Sequence, residues 1–204
     1  VKYESQLAKL LPHLYSCRCS RKILKRHKIY PGTCRNKAFL TENVALRIKV
    51  PDIQISFNDN IKGETITNLQ QEVGDFIVVR RDKLFSYNLA TACDDGDQGI
   101  TDVLRGEDLL SLTNPQIFLM NMLKLKTPEY SHIPVLYNTN GHKLSKQTGA
   151  PPIKNFEAVK NLTKAMQLLG FKIPQHIKTI TSIIEWGIQN WSANQIPKQF
   201  DFLS

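Results

Sequence analysis

A chain of 204 residues with 41% hydrophobic and 22% charged residues can bury one core or two small ones, which excludes a peptide, a collagen and a disordered tail. There is no uncharged apolar run of about 18 residues, and the amino-terminal VKYESQLAKLL lacks the basic, apolar, small-residue order of an export signal. A membrane-spanning or exported protein is therefore not expected, and a cytoplasmic location without membrane attachment is. The net charge of +9 is confined to the first quarter: residues 1–50 hold 12 Lys/Arg against Glu4 and Glu42, residues 51–204 hold 15 against 16.

Leu7, Leu10, Leu11 and Leu14 recur at helical spacing and predict an amphipathic helix over 3–14. Cys17, Cys19 and Cys34 follow among Arg18, Arg21, Lys22, Lys25, Arg26, Lys28, Arg35 and Lys37. Ser20 is placed to cap a short basic helix through Lys28, and Pro31-Gly32 turns Cys34 back towards the first two thiols. Such a field favours a polyanion, although a solvated basic face fits the charge alone equally well.

Val44, Leu46, Ile48 and Val50 alternate with Ala45, Arg47 and Lys49, and Ile53, Ile55 and Phe57 repeat the pattern. Together they predict two strands of a small antiparallel sheet. The continuous apolar run FIVVR (76–80) predicts a strand buried on both faces, opening a second layer. Residues 100–104 and IPVLY (133–137) read as further strands, with Thr113 capping a helix NPQIFLMNML between them, so a parallel crossover is expected. Asn140-Gly141 predicts a tight turn before HKLSKQ, and two more helices are expected at about 155–169 and 176–190.

Three clustered thiols supply soft ligands, and structural zinc takes four. His13 and His27 are the ordinary nominees for the fourth, ahead of Tyr30. Cys93, alone in an apolar segment, reads as a buried structural thiol. Lys143 and Lys146, three apart on a loop, are suited to a triphosphate and its leaving pyrophosphate, although K-x-S-K alone is a weak signal. Arg105 and Tyr87 are suited to a carboxylate, with surface pairing of Arg105 to Glu107 or Asp108 as the plain alternative. Asp94, Asp95 and Asp97 lack calcium-loop spacing and read as a solvated turn.

The ordered set YSCRCSRKI…IYPGTCR, ALRIKVPD, DFIVVRRDKLFSYNLATACDD, GITDVLRGEDLL and PEYSHIPVLYNTNGHKLSKQ resembles the glutamyl-tRNA synthetase group of class I synthetases. Within that group it most resembles the short paralogues that glutamylate queuosine in tRNA(Asp). Gln147 ends the lysine motif where the full synthetases usually have Arg, and the tract after it is too short for an anticodon-binding domain.

The resemblance implies an α/β fold: a partial Rossmann-like catalytic domain with a small zinc-binding α+β insertion and carboxy-terminal helices. The expected divisions are 1–75, 76–150 and 151–204. The resemblance also implies that Lys143 and Lys146 contact ATP and stabilise adenylate formation, that Tyr87 and Arg105 hold glutamate, and that structural zinc sits on Cys17, Cys19, Tyr30 and Cys34. The partners it implies are ATP with Mg, L-glutamate and tRNA(Asp) bearing queuosine, for a monomer.

Class I synthetases open with a strand and a loop, bearing glycine and histidine, that hold adenine and the α-phosphate. The chain has no such segment, so the polypeptide alone is expected to make no adenylate, as a truncated or degenerate form. The other functions compatible with the residues are a fragment of a glutamyl-tRNA synthetase and a non-catalytic, zinc-stabilised RNA-binding module.

Overall fold

The computed structural model of the chain describes residues 2–37 and 43–200. Its first helix, α1 (Lys2–Leu10), stops earlier than the leucine spacing predicts. Pro12 can neither donate to the preceding turn nor avoid its carbonyl, so the chain tightens into a 3-10 turn at Leu11–His13 and becomes extended at Leu14. The strand that follows, β1 (Leu14–Cys17), buries Tyr15 and Cys17 on one face. Next comes α2 (Arg21–Leu24), capped as expected by Ser20, whose Oγ accepts the Ile23 N–H at 3.3 Å. It ends well short of Lys28, because Lys22, Lys25, Arg26 and Lys28 would repel one another at helical spacing.

β2 (Ala45–Ile48) departs from the expected alternation. Ala45 and Arg47, read as solvent-facing, are buried together with Val44 and Ile48. Two further corrections concern partners. The FIVVR segment forms β5 (Ile77–Val79), which pairs antiparallel with β2 in a sheet ordered β1-β2-β5 and opens no parallel layer. The strand expected beside β2, β3 (Gln54–Asp59), belongs to a different sheet. Pro51 accounts for the separation, since it has no amide to continue a ladder.

The second sheet has the order β4-β3-β7-β6, from β4 (Gly63–Asn68), β3, β7 (Glu129–Ile133) and β6 (Asp102–Gly106). β3 and β7 are parallel, with Asp59 opposite Tyr130. Only Ile133 of IPVLY lies in a strand, because Pro134 ends it. The fold class is the mixed α/β arrangement with parallel pairing that the resemblance implies.

Two helices of this region differ from expectation. α3 (Tyr87–Gln98) is capped by Ser86 Oγ on the Leu89 N–H at 3.3 Å and closed by Gly99 at φ 66°. It absorbs the aspartate run read as a solvated turn: Asp94 accepts from Lys2 Nζ at 2.7 Å and from the Tyr3 hydroxyl at 2.9 Å. Cys93 is buried in this helix, and burial pushes its thiol up to about 11, in keeping with a structural thiol. α4 (Leu110–Leu123) begins before Thr113, which is buried within it and does not cap it, and Pro115 lies inside the helix.

The chain divides into two compact units. The first runs to Asn58 and includes Glu64–Val103 and Ser111–Glu129; the second comprises Asp59–Gly63, Leu104–Leu110 and everything from Tyr130 onward. In the second, α5 (Ala158–Leu168) and α6 (Ile180–Asn190) fall within the expected ranges. Thr179 and Ser182 form a capping box at the start of α6. No described helix is long and apolar enough to cross a membrane.

Candidate functional site

In the first unit, the three thiols of Cys17, Cys19 and Cys34 lie within 4.8 Å of one another. Among the described residues no other group of three or more His, Cys, Asp or Glu side chains is gathered closely enough to share an ion, and neither His13 nor His27 joins the thiols. The Tyr30 hydroxyl lies beside them. Its Oη is 3.5 Å from Cys17 Sγ and 3.7 Å from Cys19 Sγ, and Cys19 and Cys34 are 3.6 Å apart. Four ligands about 2.3 Å from a tetrahedral centre stand roughly 3.8 Å from each other, so the donor set fits a zinc-sized cation.

The electrostatics favour the same use. Burial opposes ionisation of Cys17, but hydrogen bonds with Tyr30 and Arg47 outweigh it and bring the thiol down to about 7. Burial holds the Cys19 thiol and the Tyr30 phenol up, and a divalent charge is what would draw them into ligand form.

A buried polar network braces this knuckle. Asp75 Oδ2 accepts the Tyr15 hydroxyl at 2.6 Å, and its Oδ1 accepts the Val50 N–H at 2.8 Å and Arg35 Nη2 at 2.9 Å. Arg47 donates to the Asp75 carbonyl at 2.7 Å and lies 3.8 Å over the Tyr30 ring. One carboxylate therefore ties β1, the end of β2 and the segment bearing Cys34 together. Sequence reasoning passed over Asp75 and Arg47, since an aspartate before FIVVR and an arginine at an outward register carry no local mark of burial.

In the second unit, the Asn140-Gly141 turn forms as expected. Gly141 takes φ 76°, Leu144 N donates to Leu136 O at 2.8 Å, and Asn138 N donates to His142 O at 2.9 Å. This short ladder sets Lys143 at its edge, with Nζ 2.6 Å from Asp108 Oδ2. That bond holds the Asp108 carboxyl below the usual carboxylate range. Lys146 is exposed and opens the turn Lys146–Thr148.

Arg105 projects from β6, with Nε 2.9 Å from His132 Nε2 and Cζ 5.3 Å from the Tyr130 ring. The neighbouring Glu107 receives Lys62 and the Val135 N–H. The structure thus brings Lys143 to Asp108, three residues beyond Arg105. Tyr87 belongs to the first unit, at the start of α3, and is 53% exposed. His132 and Asp59, which stand behind Arg105, were not singled out from the sequence; only the His-x-Pro at the end of β7 was there to be noticed.

The profile of the class I tRNA synthetases (E and Q) catalytic domain matches residues 8–185, and the chain belongs to that family. It is 42% identical over 187 residues to the glutamyl-Q tRNA(Asp) synthetase of Pseudomonas fluorescens, covering 90% of this chain and 63% of that one. Identity to the Pseudomonas aeruginosa protein of the same name is 41% over 187 residues, covering 90% and 64%. The chain thus spans about 63% of the length of the curated relatives it matches. Among solved structures, a glutamate-tRNA synthetase from Elizabethkingia anophelis superimposes with a TM-score of 0.74 at 22% identity, over 99% of this chain and 50% of that one, which shows the shared fold.

Proposed function

We propose that the protein activates L-glutamate with ATP and Mg and transfers the glutamyl group to queuosine of tRNA(Asp). The observation that carries this reading is the 42% identity to a glutamyl-Q tRNA(Asp) synthetase. The family match spans 8–185 and takes in Cys17, Cys19, Tyr30, Cys34, Tyr87, Arg105, Lys143 and Lys146. In this reading Arg105 and Tyr87 hold the amino-acid substrate. A glutamate carboxylate attacks the α-phosphorus of ATP, and Lys143 and Lys146 neutralise the charge that builds on the departing pyrophosphate. A hydroxyl of the queuosine cyclopentene diol then attacks the acyl carbon, forming an ester as the acyl–phosphate bond breaks and AMP and the hydroxyl proton leave.

Zinc held by Cys17, Cys19, Tyr30 and Cys34 is structural, since a closed set of four protein ligands leaves no position for substrate. The exposed Arg18, Lys22, Lys25, Arg26 and Lys28 around it supply a basic face suited to RNA backbone. The reading places the protein in the cytoplasm as a monomer.

The test is glutamate-dependent pyrophosphate exchange by the natural-length protein beside its Lys146→Ala variant, followed by transfer of labelled glutamate to tRNA(Asp) with and without queuosine and to tRNA(Glu). Exchange above the variant and labelling only of the queuosine-bearing tRNA are expected. Exchange equal to the variant, or labelling of tRNA(Glu) instead, overturns the proposal.

A further inference from the structure

We propose that Asp59 and His132 are positioning residues that lock the Arg105 guanidinium through a neutral imidazole of a single tautomer, so that a substrate carboxylate meets it in one orientation. The proposal rests on the reading of Arg105 as a glutamate-holding residue and adds the device that orients it.

The chain of contacts begins at Asp59, the last residue of β3, which is 1% exposed. Its Oδ1 accepts the backbone N–H of Ile61 at 2.9 Å, of Lys62 at 2.8 Å and of His132 at 3.2 Å. Its Oδ2 lies 2.5 Å from His132 Nδ1. Burial works against a charge there, but these donors outweigh it and hold the carboxyl below its ordinary range. The group is a fixed anion.

His132 is wholly buried in β7 and meets Arg105 Nε with its other nitrogen, at 2.9 Å. Arginine Nε–H can only donate, so His132 Nε2 must accept. An imidazole accepting at Nε2 carries its proton on Nδ1, where Asp59 receives it. A doubly protonated ring would set one N–H against another.

The cationic neighbours favour the neutral form. Burial, Arg105 on β6 and Lys62 on the turn after β3 lower the pKa of His132 and outweigh the opposing pull of Asp59. Asp108, after β6, has its charge engaged by Lys143. Tyr130 stacks beside His132 at 6.1 Å and 16° and lies below the guanidinium of Arg105.

An arginine free in solution rotates about its last torsions. Arg105, held at Nε by His132 and lying over Tyr130, has its plane set before substrate arrives, and preorganisation of this kind governs affinity for a bidentate carboxylate. The pairing is the directional counterpart of a serine-protease His–Asp pair, with an arginine as the oriented group in place of a nucleophile.

The test uses the natural-length protein and two readouts. Long-range 1H–15N correlation at pH 7 should show one histidine as the Nδ1–H tautomer, and the signal should be lost in His132→Asn. Calorimetric titration should show glutamate affinity about tenfold weaker in His132→Asn, with ATP affinity unchanged. His132→Gln, whose amide oxygen replaces Nε2 as acceptor, should recover most of the glutamate affinity.

An Nε2–H tautomer or a doubly protonated ring overturns the proposal. So does unchanged glutamate affinity in His132→Asn while Arg105→Ala abolishes binding, a result that leaves the reading of Arg105 standing. Unchanged glutamate affinity in Arg105→Ala overturns that reading and the positioning role together.

Discussion

Replacing Asp75 by alanine should unfasten the metal knuckle from the sheet beneath it. The carboxylate receives three donors, and the substitution leaves them without an acceptor. Val50 is 0% exposed, so its orphaned N–H costs about 2 kcal/mol, and the buried Tyr15 hydroxyl costs about as much. The Arg35 side chain is 32% exposed and can turn to water, so its share is small. The total is about 4 kcal/mol, or roughly 10 °C in Tm for a chain of this size. Asp75→Asn keeps an oxygen for Val50 and Arg35 and offers an amide N–H that Tyr15 can accept, so it should cost only about 1 kcal/mol. Urea unfolding followed by far-UV circular dichroism and by amide exchange across 14–17 and 45–50, with zinc bound and after chelation, measures both variants. A loss below about 1 kcal/mol for alanine, or equal losses for the two variants, would refute the reasoning, because either result means that the donors find water or that charge and not pairing decides.

Cys19→Ser should lower the zinc content of the purified protein and increase amide exchange across 15–37 while sparing 143–147; unchanged zinc stoichiometry would count against the ligand set. Gly170 sits at φ 91°, and a Cβ there would stand 2.2 Å from the Gln195 carbonyl oxygen, so Gly170→Ala should cost about 3 kcal/mol in a urea titration. A near-neutral result would mean that the segment around Gln195 gives way easily.

The buried neutral His132 has a folded pKa below its ordinary 6.5, so the unfolded chain binds the extra proton first as pH falls. Its contribution to stability is complete above about pH 6.5 and declines below it. Stability measured between pH 7.5 and 5 should show a weaker slope in His132→Gln than in the native protein, and identical slopes would show that another group controls the decline.

Local chemistry in the sequence determined a good deal about this protein. The sequence marked the Cys17, Cys19 and Cys34 cluster, Ser20 as a cap, Asn140-Gly141 as a turn and a helix within 176–190, because each depends on residues fewer than about 20 positions apart. The choice of Tyr30 over a histidine came from resemblance, and the 3.5 to 3.7 Å contacts of its hydroxyl gave it a geometric basis.

Tertiary structure alone decided which strands pair. Alternation in β2 and β3 is the same whether they share a sheet or not, and a run such as FIVVR is apolar whether its neighbour is parallel or antiparallel. It also decided the polar interior. Asp59 and His132 are 73 positions apart, and Tyr15 and Asp75 are 60 apart. An ionisable side chain shows in sequence only its capacity to bond; burial and a partner, both supplied by folding, determine what it does with it.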